Sequence, residues 1–156
     1  MILLLLLANL EWARSLVDEV QKASFPELAG VRIKVRELRS RQDYFQARFG
    51  TVYANPAVLT LDAPEDGLRA IVAHELSHLT YYRSVSKWRL LRLMRTKAAI
   101  AFEKDADRQA IRRGYAVGLK HYREWLYLHV PATALPMKKR KYLTPAEIDS
   151  EARSLL

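Results

Sequence analysis

The chain of 156 residues predicts an α+β domain, and three observations carry that reading. A helical hydrophobic pattern opens the chain, period-two alternation follows between residues 31 and 62, and helical spacing dominates the remainder. Half of the residues are apolar, enough to bury one sizeable core, and no linker, repeat or low-complexity tract interrupts them. Residues 1–156 therefore read as a single domain. A small antiparallel or mixed sheet falls in the part at about 1–62, and a helical C-terminal half occupies about 63–156.

The opening run, Ile2 to Leu7, is too short to span a bilayer and lacks the basic start and small-residue cleavage site of a signal peptide. It reads as a packed first turn or strand, with contact to a membrane surface as the alternative. Asn9 is placed to cap a helix from about Leu10 to Ala23, whose inner face carries Ala13, Leu16, Val17 and Val20. Pro26 and Gly30 end it. Residues 31–38 set Val31, Ile33 and Val35 against Arg32, Lys34 and Arg36, as expected for a strand with one wet face. YFQARFGTVY (44–53) and VLTLD (58–62) read as two further strands turned at Asn55-Pro56.

A helix follows, because Asp62 and Glu65 have capping-box spacing and Pro64 suits a first turn. Leu68, Ile71, Val72, Leu76 and Leu79 then recur as a helical stripe. Residues 84–102 interleave Trp88, Leu90, Leu91, Leu93 and Met94 with Lys87, Arg89, Arg92, Arg95 and Lys97. They form a core-facing helix with its cations outside, or one lying on an anionic membrane. The basic run MKKRKY (137–142) reads as a solvated linker before a last helix capped by Thr144, Pro145 and Glu147.

Chemistry concentrates in AHELSH, residues 73–78. His74 and His78, four apart, lie about 40° from each other on one helix face, so two imidazoles can grip one ion. Glu75 points about 100° round from His74, borders that ion and can reach a water beside it, the place for a general base. A catalytic zinc takes three protein ligands and one open position. The chain has no cysteine, so the third ligand must be His, Asp or Glu. In AFEKDADRQAIRRGY (101–115), Glu103 and Asp107 share a helix face one turn apart. Glu103 could complete a two-histidine, one-carboxylate set, and Asp107 could accept the remaining ring N–H of a ligand histidine. The competing reading of Asp107 is an ordinary solvated charged face. Asp105 points elsewhere, and His121 and His129 have no ligand spacing to the motif. Acidification below about pH 6, near the ordinary histidine pKa, is expected to release metal.

His74-Glu75-x-x-His78 followed by Glu103-x-x-x-Asp107 resembles the active-site pattern of gluzincin metallopeptidases, with wording similar to the HtpX-like and minigluzincin branches. The resemblance covers about residues 44–115. It implies a zincin-like domain and a Zn2+-dependent peptidase, with His74, His78 and Glu103 as metal ligands, Glu75 as catalytic base and Asp107 behind the ligands. It further implies a sheet lying over the motif helix, with an edge strand within residues 47–61 that pairs with an extended or unfolded peptide substrate. Tyr115 and Tyr122 are phenols of the right type for an oxyanion donor, and ordinary packing explains both.

The net charge of +9 is spread over several segments and selects no partner by itself. Peripheral contact with an anionic membrane stays open, and nucleic acid is a secondary partner because no nucleic-acid motif accompanies the charge. A metal-binding scaffold without hydrolysis, and a basic adaptor for nucleic acid or membrane, are the alternative functions. The reading favours a cytoplasmic over an exported protein.

Overall fold

The computed structural model describes residues 2–40, 43–86, 88, 89, 92 and 98–156. Helix α1 spans Ile2–Ser24, and Ala13, Leu16, Val17 and Val20 are buried on its inner face. Asn9 lies inside this helix and is no cap; the leucines before it are strong helix formers and carry the helix back to Ile2, which replaces the turn or strand expected there. Three strands follow, β1 (Lys34–Glu37), β2 (Phe45–Arg48) and β3 (Thr51–Ala54). They form a mixed sheet of order β1-β3-β2, in which β1 runs parallel and β2 antiparallel to β3.

Residues 44–53, expected as one strand, fold back on themselves. Arg48 pairs with Thr51, and the two residues between, Phe49 and Gly50, have φ of 40° and 82°, the positive values a two-residue hairpin turn needs. VLTLD is not a strand either: Ala57–Thr60 is a short helix, α2. Asn55 decides this locally, since its Oδ1 accepts the Ala57 N–H and its carbonyl accepts the Val58 N–H, curling the chain after Pro56.

Helix α3, Glu65–Ser84, buries Leu68, Ile71, Val72, Leu76 and Leu79. It does not begin with the expected capping box. Asp62 sits at φ 49° and the extended Pro64 occupies the cap position with no side-chain cap bond, so Glu65 and Asp66 serve the helix N-terminus through charge. Of the basic helix expected at 84–102, residues 87, 90, 91 and 93–97 lie outside the described residues; at its ends Ser84 closes α3, Val85 is extended and 98–102 belong to the next helix. Helix α4 (Ala98–Ala110) runs through a wide turn at Ile111–Tyr115, opened by Gly114 at φ 92°, into α5 (Ala116–His129). Residues 135–141 form helix α6 where a solvated linker was expected, and Lys138 is buried because its Nζ reaches Asp43 at 2.6 Å. Helix α7, Pro145–Arg153, carries the expected cap, with Thr144 and Glu147 bonding each other's backbone.

Helix α3 is the hub, packed by α1, α4, α5 and β2. Its crossing with α5 is close: a Cβ on Gly118 would stand 2.3 Å from the Asp66 carbonyl oxygen. Among the described residues no helix is long and apolar enough to cross a membrane.

Candidate metal centre

Two helices supply the polar cluster. His74 and His78 stand one turn apart on α3, Glu103 and Asp107 one turn apart on α4, and all four are buried. Helical spacing sets each pair, and the packing of α4 on α3 brings the pairs together. Glu103 Oε2 lies 3.2 Å from Nε2 of His74 and 3.2 Å from Nε2 of His78, and the two nitrogens are 3.1 Å apart. Three donor atoms thus face one point, an arrangement that could hold a metal ion. The imidazole planes cross at 89°.

Asp107 stands behind this triangle. Its Oδ1 is 2.7 Å from Nδ1 of His74, which leaves the His74 Nε2 turned to the centre. Arg123 of α5 donates to the same oxygen at 2.7 Å, and the Leu143 N–H donates to Oδ2 at 2.8 Å. The solvated-face reading of Asp107 is therefore wrong. Arg123 is itself buried, and its guanidinium lies 4.4 Å from the Tyr142 ring centroid. His78 has no such support, since its Nδ1 is buried without a hydrogen-bond partner among the described residues.

Electrostatics follow from this burial. Desolvation works against charge on His74, but Asp107 and Glu103 outweigh it and raise the imidazole to about 10. Desolvation would lift Glu103, yet hydrogen bonds from both histidines hold its carboxyl well below the usual range. Asp107 is likewise opposed by burial and lowered by Arg123 and His74. Glu75 is the contrasting group: burial pushes it up, and the nearby histidines and the Ala47 N–H offset this only in part. A carboxylate lifted toward neutrality is better matched to proton transfer than an ordinary one.

Glu75 opens onto a cleft of about 80 Å³ that it shares with Ala47, Tyr82, Glu103, Lys141 and Tyr142. The Lys141 ammonium is 3.1 Å from Glu103 Oε1, the oxygen turned away from the histidines. Tyr142 sets its ring 5.8 Å from that of His74, and burial raises its phenol well above the ordinary value.

The structure gathers His74, Glu75, His78, Glu103 and Asp107, and leaves out Asp105, which is exposed. His121 pairs with Asp66 and His129 stacks on Trp125, both apart from the cluster. Tyr115 is engaged with Ser24 of α1. Sequence reasoning missed Arg123, Tyr82, Lys141 and Tyr142. Arg123 had a signal: it interrupts the apolar stripe Leu119, Tyr122, Leu126, where a lone cation requires a buried partner. The others come from segments whose approach no local pattern announces. No family model, curated protein or solved structure matches this chain.

Proposed function

We propose that this chain is a zinc-dependent, gluzincin-like endopeptidase. The observation that carries the reading is the buried triangle of two imidazole nitrogens and one carboxylate oxygen with Glu75 beside it. Tetrahedral zinc with nitrogen and oxygen ligands at its usual bond lengths needs donor atoms about 3.3–3.6 Å apart. The observed 3.1–3.2 Å requires only a slight opening, and the donor types suit that ion. When bound, zinc would act as a Lewis acid on the scissile carbonyl and acidify the attacking water.

The chain's own groups have defined tasks in this reading. Asp107 fixes the orientation of His74. Glu75 takes a proton from the water that attacks the carbonyl carbon and passes it to the amine nitrogen as the C–N bond breaks. Tyr142, kept protonated by burial, donates to the developing oxyanion. Strand β2 receives the peptide. Because Arg48 and Thr51 close a two-residue turn as a hydrogen-bonded pair, Phe45 and Ala47 direct their backbone groups away from β3, toward the free edge. An extended peptide added there would lie along the cleft. Of the two edge strands, β2 lines the cleft; its residues 45–46 precede the expected 47–61 window and 47–48 fall within it, since β3 is central and 57–60 is helical.

Incubation of the zinc-loaded chain with unfolded protein tests the reading. Wild type is expected to cleave, and Glu75→Gln to retain one equivalent of zinc and cleave nothing. Tight zinc binding by wild type with no turnover of any unfolded substrate would replace the peptidase by a metal-binding scaffold.

A further inference from the structure

Phe49 stands where the backbone least favours it. It is the first central residue of the β2–β3 turn, at φ 40°. Gly, Asn and Asp meet that requirement at little cost, and a bulky aromatic does not. Core burial does not compensate, since the residue is 58% exposed. What its ring does meet is Tyr82, with centroids 5.7 Å apart and planes inclined at 34°. Tyr82 in turn stacks on His78 at 6.0 Å and 9° and lines the cleft beside Glu75. Strand alternation points the same way: Phe45 and Ala47 are buried on the inner face of β2, and Phe49 is the next residue in that series, just past the end of the strand.

We infer that Phe49 and Tyr82 form an aromatic clamp that selects an apolar, above all an aromatic, side chain of an extended peptide lying along β2. The inference rests on the peptidase reading for its ligand and adds where along the peptide selection acts. Ala47, which lines the cleft together with Glu75, marks its reacting part. Phe49 lies two residues further, about 7 Å along an extended chain, so the selected side chain is about two residues from the cleaved bond, on one side only. A strained turn residue held at a binding edge is the kind of position where local cost is offset by function. An exposed aromatic could also enter a lipid surface; the continuous ring contact from Phe49 through Tyr82 to His78 favours the peptide.

The test uses the zinc-loaded full chain and short polar peptides in which a single Phe is moved position by position, with an all-Ser peptide as reference. Binding is read by anisotropy and cleavage by mass spectrometry, for wild type and for Phe49→Asn, a residue that suits the turn. Wild type is expected to bind Phe peptides about tenfold more tightly than the Ser peptide, and the cleaved bond should move with the Phe. Phe49→Asn should abolish the preference and raise Tm, because Asn adopts positive φ readily. An unchanged preference in the variant, a lowered Tm, or a wild type that binds none of the peptides overturns the clamp. So does a variant that keeps the preference but loses association with phosphatidylserine vesicles. Phe-selective binding without any cleavage upholds the clamp and removes the peptidase reading.

Discussion

His74 Nδ1 and Asp107 Oδ1 lie 2.7 Å apart in the sealed space between α3 and α4. The same aspartate takes hydrogen bonds from Arg123 on α5 and from the Leu143 N–H ahead of α7, so one buried carboxylate ties the motif helix to three other parts of the fold. Its negative charge also answers the buried Arg123 guanidinium and favours the protonated form of His74.

Asp107→Asn keeps the shape and removes that charge. Arg123 would remain buried without its counter-charge, a change that costs about 3–5 kcal/mol. Zinc affinity should fall about 10–100-fold, since the group orienting His74 is weakened. Urea denaturation of the metal-free protein and chelator competition read the two effects. Wild-type stability in the variant would mean that the Asp107 charge does not hold Arg123 in place.

Metal-free protein should lose stability as pH rises. The folded His74 is raised from 6.5 to about 10, so its contribution is complete below pH 6.5 and is lost as pH climbs toward 10. Glu103 is depressed below 4.5; its contribution is present above that value and is lost on acidification. Tm of the metal-free chain should therefore decline between pH 6.5 and 10. Zinc must displace the His74 proton, so affinity should keep rising well above the pH 6 limit drawn from an ordinary histidine. Titration calorimetry in buffers of different ionisation enthalpy should detect this proton release at neutral pH; no release would contradict an imidazolium at His74.

Removal of any one donor of the triangle should be costly in a way that a neighbouring substitution is not. His74→Ala, His78→Ala and Glu103→Ala should each lose zinc in metal analysis, because a three-ligand site has no spare. Asp105→Ala, on the exposed face of α4, should keep it. Zinc retained by Glu103→Ala and stripped by Asp105→Ala would place the third ligand on the wrong face.

Tyr142→Phe removes one hydroxyl from the cleft and touches no donor of the triangle. Zinc content should be unchanged while kcat drops about 100–1,000-fold, the usual consequence of losing one oxyanion donor. Full activity in this variant would require another donor.

Gly118→Ala tests the tight crossing of α3 and α5. The added methyl would press on the Asp66 carbonyl at 2.3 Å, backbone that cannot rotate aside, so destabilisation of about 1–3 kcal/mol is expected. Thermal denaturation measures it, and a neutral result would mean that the helices separate freely there.

Local chemistry made part of this molecule legible. The stripe of Ala13, Leu16, Val17 and Val20, the buried face of α3 and the Thr144 cap all follow from periodicity and hydrogen-bonding capacity within a few residues. The misreadings have equally local causes. A two-residue turn with Phe in place of Asn carries no hairpin signal, VLTLD is too short for its pattern to outweigh the turn set by Asn55, and Asp62 has the spacing of a cap without the backbone angles.

The sequence by itself determined which side chains could act as one: helical spacing puts His74 with His78 and Glu103 with Asp107, since neighbours along a helix face are set by backbone geometry alone. Only the tertiary structure decided that the two pairs face each other, that Arg123 arrives from α5 to share Asp107, and that Lys141 and Tyr142 close over Glu103 and His74. Those relationships span 16 to 68 positions of chain, so they depend on helix packing and on compensation of buried charge, which no local pattern encodes.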